Sequence, residues 1–172
     1  MTWKGRKVLV TGAGGFIGSH LAERLVELGA EVRALVHYNS LGSWGWLDHS
    51  PWRDQLQVVG GDITDRDRVA ELVEDREYVF HLAALIAIPY SYQAPESYVR
   101  TNVQGTLNLL QCARVAGVKR IIHTSTSEVY GTARQVPITE EHPLRVSRPI
   151  PPAKLARIRW RKPSTSPSVC RW

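Results

Sequence analysis

The sequence predicts an α/β fold, a doubly wound parallel sheet with helices on both faces. Short apolar segments of strand length alternate along the chain with segments of helical periodicity. A turn of spaced glycines joins the first predicted strand to the first predicted helix. Polar residues follow the ends of the predicted strands, and in a parallel sheet these ends share one edge, where ligands bind.

The first predicted strand, residues 7–10, leads into the glycine turn and then into a helix that stops at Gly29. In this context Gly12 allows a tight turn, Gly15 allows backbone to approach a pyrophosphate, and Gly18 allows the helix to pack on the strand. The free N–H groups at the helix N-terminus attract phosphates. A dinucleotide cofactor is therefore predicted, and a glycine-rich turn without a ligand is the alternative.

The second predicted strand, residues 31–36, lacks the acidic residue that holds the adenosine ribose in NAD-binding folds. The residues at its end include His37 but no carboxylate, so the choice between NAD and NADP stays open. The loop that follows is rich in tryptophan. We expect Trp44, Trp46 and Trp52 to cover the edge of the sheet rather than to line a pocket.

The remaining elements complete the alternation of strands and helices. A third strand is predicted at residues 56–60, and Asp65 is expected to cap a helix that runs to about residue 75. A fourth strand at 78–84 is apolar enough for burial on both faces. A long helix at 94–116 and a fifth strand at 120–125 follow.

Composition excludes several classes of protein. No apolar run is long enough to span a membrane, and the hydrophobic fraction of 43% is typical of a globular protein. The two cysteines, Cys112 and Cys170, do not form a disulfide framework, so a reducing cytoplasm is the expected location. No metal site is predicted, because His20, His81 and His123 lack the spacing of metal ligands and are expected to be structural.

The net charge of +6 is unevenly distributed. Residues 145–172 contain eight Lys or Arg and no Asp or Glu, whereas residues 1–144 contain 14 basic and 16 acidic residues. The prediction is therefore a cofactor-binding domain over 1–144 and a basic tail over 145–172, disordered or loosely packed. Nucleic acid is not an expected partner, although a basic nucleic-acid arm is one alternative interpretation of the tail.

Several motifs resemble one family, the extended short-chain dehydrogenase/reductases that include NAD-dependent epimerases and dehydratases with a Rossmann-like domain. Five segments carry the resemblance: TGAGGFIG at 11–18, GDI at 61–63, HLAA at 81–84, TN with GT between 101 and 106, and STSEVYG at 125–131. The segments at 37–46 and 84–92 look most like nucleotide-sugar 4,6-dehydratases. The branch most resembled acts on UDP- or GDP-linked N-acetylglucosamine in legionaminic acid synthesis.

The resemblance implies NAD or NADP as cofactor and a nucleotide sugar as substrate, with a homodimer as the full-length form. The glycine turn would hold the pyrophosphate, Asp62 and Ile63 would flank the adenine, and residues 82–84 would lie beneath the cofactor. The implied cofactor-binding residues are Gly12, Gly15, Phe16, Ile17, Gly18, His37, Asp62, Ile63, Leu82, Ala83, Ala84 and Thr124.

The resemblance also implies the catalytic residues Thr126, Ser127 and Glu128. Thr126 would bond the sugar hydroxyl that is oxidised at C4, and Glu128 would remove the C5 proton before water is lost across C5–C6 and hydride returns to C6. Ser127 departs from the dehydratase pattern, which has an aspartic acid there to protonate the leaving hydroxyl; serine is a poor acid. A 4-epimerase and a nucleotide-sugar decarboxylase are therefore the alternatives within the family.

The family also requires a Tyr-x-x-x-Lys pair about two dozen residues after the catalytic Ser/Thr, in a context resembling QGQSPYSASK. The chain has no tyrosine after Tyr130, and three prolines between 149 and 152 would break the helix that presents the pair. Codons permitted for residues 145–154 read QGQSPYSASK once a single A is restored after their first base. An out-of-frame translation of residues 145–172 is therefore our hypothesis.

This hypothesis has a functional consequence. The chain would lack the Tyr/Lys pair and the C-terminal substrate domain, so we expect an incomplete fold with weak cofactor binding and no turnover. The alternative from a different class is a dinucleotide-binding module with no chemistry.

Overall fold

A computed structural model describes residues 2–143 of the chain. Its centre is one five-stranded sheet in which all neighbouring strands are parallel, in the order β3-β2-β1-β4-β5. The strands are β1 (Lys7–Thr11), β2 (Glu31–His37), β3 (Gln57–Gly61), β4 (Tyr78–His81) and β5 (Arg120–His123). The predicted doubly wound α/β fold is confirmed.

Helices cover both faces of the sheet, because three of the four connections between successive strands carry helices across one face or the other. They are α1 (Phe16–Glu27), α2 (Arg66–Val73), α3 (Ile88–Gln93), α4 (Pro95–Val99) and α5 (Thr106–Val115). Short 3₁₀ turns follow β2 at Gly45–His49 and Arg53–Gln55, and another follows β5 at Ser127–Tyr130. Asp65 caps α2 as predicted, since its carboxylate accepts bonds from the backbone N–H of Asp67 and Arg68.

Alternate residues of the central strand β1 enter two separate apolar cores. Val8 and Val10 pack with Leu25 of α1 on one face of the sheet. Leu9 packs on the other face with Leu109 of α5 and residues of α2. All three β1 side chains are fully buried, as expected for a central parallel strand covered on both faces.

The fourth strand is shorter than the predicted range of 78–84, because β4 ends at His81. Beyond it the backbone N–H groups of Leu82 and Ala83 both donate to the hydroxyl of Thr11, each at 3.2 Å. These bonds to a side chain of β1 accompany the end of the strand. Residues 82–87 form a loop at the sheet edge.

The prediction of one uninterrupted α-helix at 94–116 is wrong, because a π-helical turn divides this segment. The segment begins with α4, passes through a π-helical turn at Arg100–Gly105 and continues as α5, and α3 precedes it at Ile88–Gln93. Gly105 allows this segment to pack closely on Ile63, since an added Cβ would lie 2.6 Å from Cγ1 of Ile63. Asn102 on this turn bonds to Leu85 in the loop after β4, and Thr106 at the start of α5 bonds to His81 at the end of β4.

The other predicted boundaries shift by one to two residues, and β5 ends at His123 rather than at 125. The predicted tail, residues 145–172, and its Cys170 lie outside the described residues, as does the domain boundary at 144. Cys112 is a buried free thiol on α5. Within residues 2–143 no helix combines the length and apolar character needed to cross a membrane.

Candidate dinucleotide site

A cavity of about 740 Å³ opens at the carboxyl ends of the strands. The glycine turn after β1, the ends of β2 and β3, the loop after β4 and the residues after β5 all contribute to its wall. All twelve predicted cofactor residues line it: Gly12, Gly15, Phe16, Ile17, Gly18, His37, Asp62, Ile63, Leu82, Ala83, Ala84 and Thr124. Their role in binding a cofactor stays a prediction, but the fold brings them together as that role requires.

Close packing requires the first and third glycines of the turn. Gly12 has φ +72°, and an added Cβ would lie 2.7 Å from the backbone N of Ala83. A Cβ at Gly18 would lie 2.1 Å from the carbonyl oxygen of Gly12. The turn therefore lies against the loop after β4 on one side and against the first turn of α1 on the other.

The middle glycine, Gly15, instead leaves space at the start of α1. An added Cβ there would touch only the carbonyl of Gly12, at 3.4 Å. Gly15 occupies the N-cap position, and no side chain caps the helix. Phe16 and Ile17, the first two helical residues, are 57% and 66% exposed and line the cavity. An uncapped helix start facing a cavity fits the pyrophosphate of a dinucleotide.

Two polar side chains fix the loop after β2 in position over the glycine turn. The amide of Asn39 accepts from the backbone N–H of Leu41 and Ser43 and donates to the carbonyl of Ser43. The carboxylate of Asp48 accepts from the Ser43 hydroxyl at 2.6 Å and the Trp44 N–H at 2.9 Å. These bonds, that of Ser43 foremost, lower the pKa of the Asp48 carboxyl.

This fixed loop changes the interpretation of the tryptophans. The backbone N–H of Trp46 donates to the carbonyl of Gly14 at 3.0 Å, and a Cβ at Gly14 would lie 2.9 Å from the carbonyl oxygen of Trp44. Trp44 lines the cavity and packs on the core, where Trp52 packs as well. Trp44 therefore lines a pocket, the role that the sequence favours less than covering the sheet edge. The close fit of Gly14 against this loop is a contact between distant residues that the local sequence pattern does not reveal.

A buried chain of hydrogen bonds holds the floor of the cavity. His81 is fully buried; its Nδ1 lies 2.7 Å from the Thr11 hydroxyl and its Nε2 lies 3.1 Å from the Thr106 hydroxyl. The Thr106 hydroxyl donates to the carbonyl of Asn102, so it accepts the proton of Nε2. With Nε2 as donor, we assign Nδ1 as the acceptor from the Thr11 hydroxyl, whose oxygen accepts from the N–H groups of Leu82 and Ala83. The predicted structural role of His81 agrees with these contacts.

The three predicted catalytic residues are not equivalent in position. Thr126 lines the cavity, and its hydroxyl caps the following 3₁₀ turn by accepting from the N–H of Glu128 at 3.5 Å. Ser127 is exposed and Glu128 is partly buried on that turn, and neither belongs to the described cavity wall. The wall also contains Thr101 of the π-helical turn, which belongs to one of the five motifs but was not predicted to be a site residue.

The charge of the wall is low. Among the described residues that line the cavity, His37 and Asp62 are the ionisable ones, and no Lys or Arg is present. No group of three or more potential metal ligands occurs within residues 2–143.

Comparisons with known proteins agree with this architecture. The family profile described as GDP-mannose 4,6 dehydratase matches residues 9–159. A UDP-glucose 4-epimerase of Mycolicibacterium smegmatis is 39% identical over 152 residues, which are 87% of this chain and 48% of the relative. A UDP-N-acetyl-alpha-D-glucosaminuronate decarboxylase of Bacillus cytotoxicus is 37% identical over 126 residues, which are 73% of this chain and 38% of the relative.

Among solved structures, the UDP-glucose 4-epimerase of Bifidobacterium longum in complex with NAD+ and UDP superimposes with a TM-score of 0.76. The two share 30% sequence identity over 88% of this chain and 47% of that one. The chain thus spans about half the length of the relatives it matches. The resemblance seen in the motifs is confirmed at the level of the family. The chain belongs to the short-chain dehydrogenase/reductase family of NAD-dependent nucleotide-sugar epimerases and dehydratases.

Proposed function

We propose that the chain is the cofactor-binding part of a nucleotide-sugar 4,6-dehydratase that uses NAD or NADP. The observation that carries the proposal is that the glycine turn and Thr126 line one and the same cavity. The cofactor, when bound, supplies the acceptor and donor of hydride. The glycine turn and the start of α1 would hold its pyrophosphate, Asp62 and Ile63 its adenine, and the loop after β4 its underside.

Thr126 and Glu128 are the residues proposed for the chemistry. Because the Thr126 oxygen accepts from a backbone N–H, the hydroxyl has a fixed position at the cavity wall. From there it can bond the sugar hydroxyl at C4 and orient C4 toward the cofactor. Glu128, on the adjoining turn, would remove the C5 proton.

Glu128 is the reason for preferring dehydration to epimerisation. Inversion at C4 requires only that hydride leave one face and return to the other, whereas loss of water across C5–C6 requires a base at C5. Glu128 is a carboxylate on the turn that follows Thr126. Ser127, which is a poor acid, argues for the 4-epimerase or the decarboxylase, and relatives of both kinds support these alternatives.

Product analysis separates the three reactions. A complete enzyme with this N-terminal part would be given UDP- and GDP-linked N-acetylglucosamine, the sugar implied by the motifs. A 4-keto-6-deoxy sugar supports the dehydratase and a 4-epimer supports the epimerase. Carbon dioxide from a nucleotide-linked uronic acid supports the decarboxylase.

The tail belongs to the same proposal. We infer that residues 145–172 are translated out of frame, because they lack the Tyr/Lys pair and the alternative frame can restore it. Resequencing the gene across codons 144 and 145 tests this directly. A confirmed frame, with no family-like continuation in the alternative frame, would overturn it.

The 172-residue chain itself should bind a dinucleotide weakly without turning over substrate. Titration with NAD and NADP, followed by assays for cofactor reduction and 4-keto-sugar formation, tests both statements. Binding without turnover is the expected result, and it is also what a non-catalytic dinucleotide-binding module predicts. Turnover by this chain would overturn the expectation that it is inactive. Failure of the folded chain to bind either dinucleotide would overturn the proposed function.

A further inference from the structure

The loop after β2 contains a carboxylate that supports the cavity wall without lining it. Asp48 does not belong to the described wall, but Ser43 and Trp44, the two residues to which it bonds, both do. Its Oδ2 accepts from the Ser43 hydroxyl at 2.6 Å, and its Oδ1 accepts from the Trp44 N–H at 2.9 Å. Leu47, the preceding residue, is fully buried in the core. The carboxylate therefore connects a residue anchored in the core to two residues of the wall.

Trp44 has further contacts that define its position at the wall. The Arg53 guanidinium lies over the indole ring, 4.4 Å from the ring centroid. Trp44 also packs against the core, and its backbone fits the glycine turn so closely that a Cβ at Gly14 would lie 2.9 Å from its carbonyl oxygen. An aromatic ring held at a cavity wall offers a flat apolar surface to a ligand.

We propose that Asp48 is a positioning residue for dinucleotide binding, because it holds Trp44 at the cavity wall, where Trp44 contacts the ligand. The inference rests on the proposed function, since it concerns the same cavity. Neither residue belongs to the five motifs that carry the family resemblance. The contact is therefore a feature of this loop and not of the glycine turn.

The rest of the loop explains why the carboxylate is needed. Leu41 is 90% exposed, so this part of the loop has little apolar anchoring of its own. The Asn39 amide bonds to the backbone of Leu41 and of Ser43, but these bonds do not reach Trp44. Loss of the Asp48 carboxylate removes the acceptor of the Trp44 N–H and of the Ser43 hydroxyl together. The indole ring would then lose its defined place in the wall.

The test measures dinucleotide affinity in the whole 172-residue chain by calorimetry, with NAD and NADP as the probes. Asp48→Ala and Trp44→Leu should each weaken binding about tenfold. Because Asp48 acts through Trp44, the double variant should also lose about tenfold, whereas two independent effects would multiply to about a hundredfold. Circular dichroism establishes that each variant is folded. If Asp48→Ala does not fold, Asp48→Ser takes its place in the cycle, since its shorter side chain cannot reach both donors.

A conservative variant and a matched control complete the set. The amide oxygen of Asp48→Asn can still accept from the Trp44 N–H, and its amide N–H can donate to the Ser43 oxygen, so this variant should bind within about threefold of the parent. Asp54→Ala removes an exposed carboxylate from the next 3₁₀ turn, Arg53–Gln55, and should leave the affinity unchanged.

The outcomes distinguish the inference from the function beneath it. Parental affinity in folded Asp48→Ala or in folded Trp44→Leu overturns the inference while the proposed function stands. A loss of about a hundredfold in the double variant overturns it as well, because the two residues would then act independently. Failure of the folded parent chain to bind either dinucleotide overturns the proposed function and the inference with it.

Discussion

The side-chain amide of Asn102 pairs with both backbone groups of Leu85. Its Oδ1 accepts from the Leu85 N–H at 2.9 Å, and its Nδ2 donates to the Leu85 carbonyl at 3.0 Å. Asn102 is fully buried on the π-helical turn, and Leu85 lies in the loop that forms the cavity floor. The amide thus acts as a neighbouring strand would, satisfying backbone groups that left the sheet when β4 ended at His81.

Asn102→Asp should destabilise the chain and loosen the cavity floor. A carboxylate cannot donate to the Leu85 carbonyl, and its burial beside that oxygen is unfavourable. We expect a loss of about 2–3 kcal/mol, which corresponds to a fall in melting temperature of roughly 5–10 °C. Thermal unfolding followed by circular dichroism measures it. Gln111→Glu, at an exposed position on α5, is the matched amide-to-acid control and should shift the melting temperature by less than about 2 °C. An equal shift in both variants would contradict the assignment.

The glycine turn allows stability and ligand binding to be separated. Gly18→Ala should prevent folding, because its Cβ would lie 2.1 Å from the carbonyl oxygen of Gly12. Gly15→Ser should fold at least as well as the parent, since a serine at an N-cap position can bond the free N–H groups of the first turn of α1.

The same Gly15→Ser hydroxyl would occupy the donors proposed for the pyrophosphate, so dinucleotide affinity should fall about tenfold or more. Thermal unfolding of both variants measures stability, and calorimetric titration of Gly15→Ser measures dinucleotide affinity. A Gly15→Ser chain that is stable and binds the dinucleotide with parental affinity would show that the pyrophosphate lies elsewhere.

The sequence predicts the strands and the glycine turn well, because those features depend on local patterns. Apolar runs, capping by Asp65 and the glycine spacing each involve neighbours within a few residues. The loop after β4 and the π-helical turn are instead joined by the hydrogen bonds between Asn102 and Leu85, which are 17 residues apart in the sequence. The cavity role of Trp44 depends on the fit of its loop against Gly14, and the Asp62 carboxylate, 3.6 Å from Nε2 of His37, follows a different strand. Such contacts leave no periodic signal in the sequence.

Ion pairs at the amino ends of the strands, opposite the cavity, should make the stability of the chain depend on pH. Glu77 precedes β4, and its carboxylate bonds to Lys119 and to Arg6, at 3.0 Å in the second case. The bond from Lys119, and then that from the Lys7 N–H, lowers the pKa of Glu77, and a bond from Lys7 likewise lowers the pKa of Asp75. A carboxyl whose folded pKa is depressed stabilises the fold above its unfolded pKa, and loses that contribution as the pH falls through the folded value.

Urea unfolding at pH 7 and at pH 3 should therefore show a lower midpoint at pH 3. Glu77→Gln should lower the midpoint at pH 7 and reduce the difference between the two conditions. Glu31→Gln, at an exposed position at the start of β2, is the control and should leave that difference near its parental value. If Glu77→Gln and the parent lose the same stability on acidification, Glu77 is not responsible.

His81 and Thr106 should prove energetically coupled, because the Thr106 hydroxyl accepts from His81 while donating to the carbonyl of Asn102. Thr106→Val removes both bonds with little change of volume, and His81→Leu leaves the Thr11 and Thr106 hydroxyls without the imidazole. Each single variant should lose about 1–3 kcal/mol, since it leaves buried polar groups unsatisfied. The double variant should lose less than the sum, with a coupling energy of about 1–2 kcal/mol, because the second change removes a group that the first has already stranded. Chemical denaturation of the four proteins completes the cycle, and strict additivity would mean that the two side chains do not act through their shared hydrogen bond.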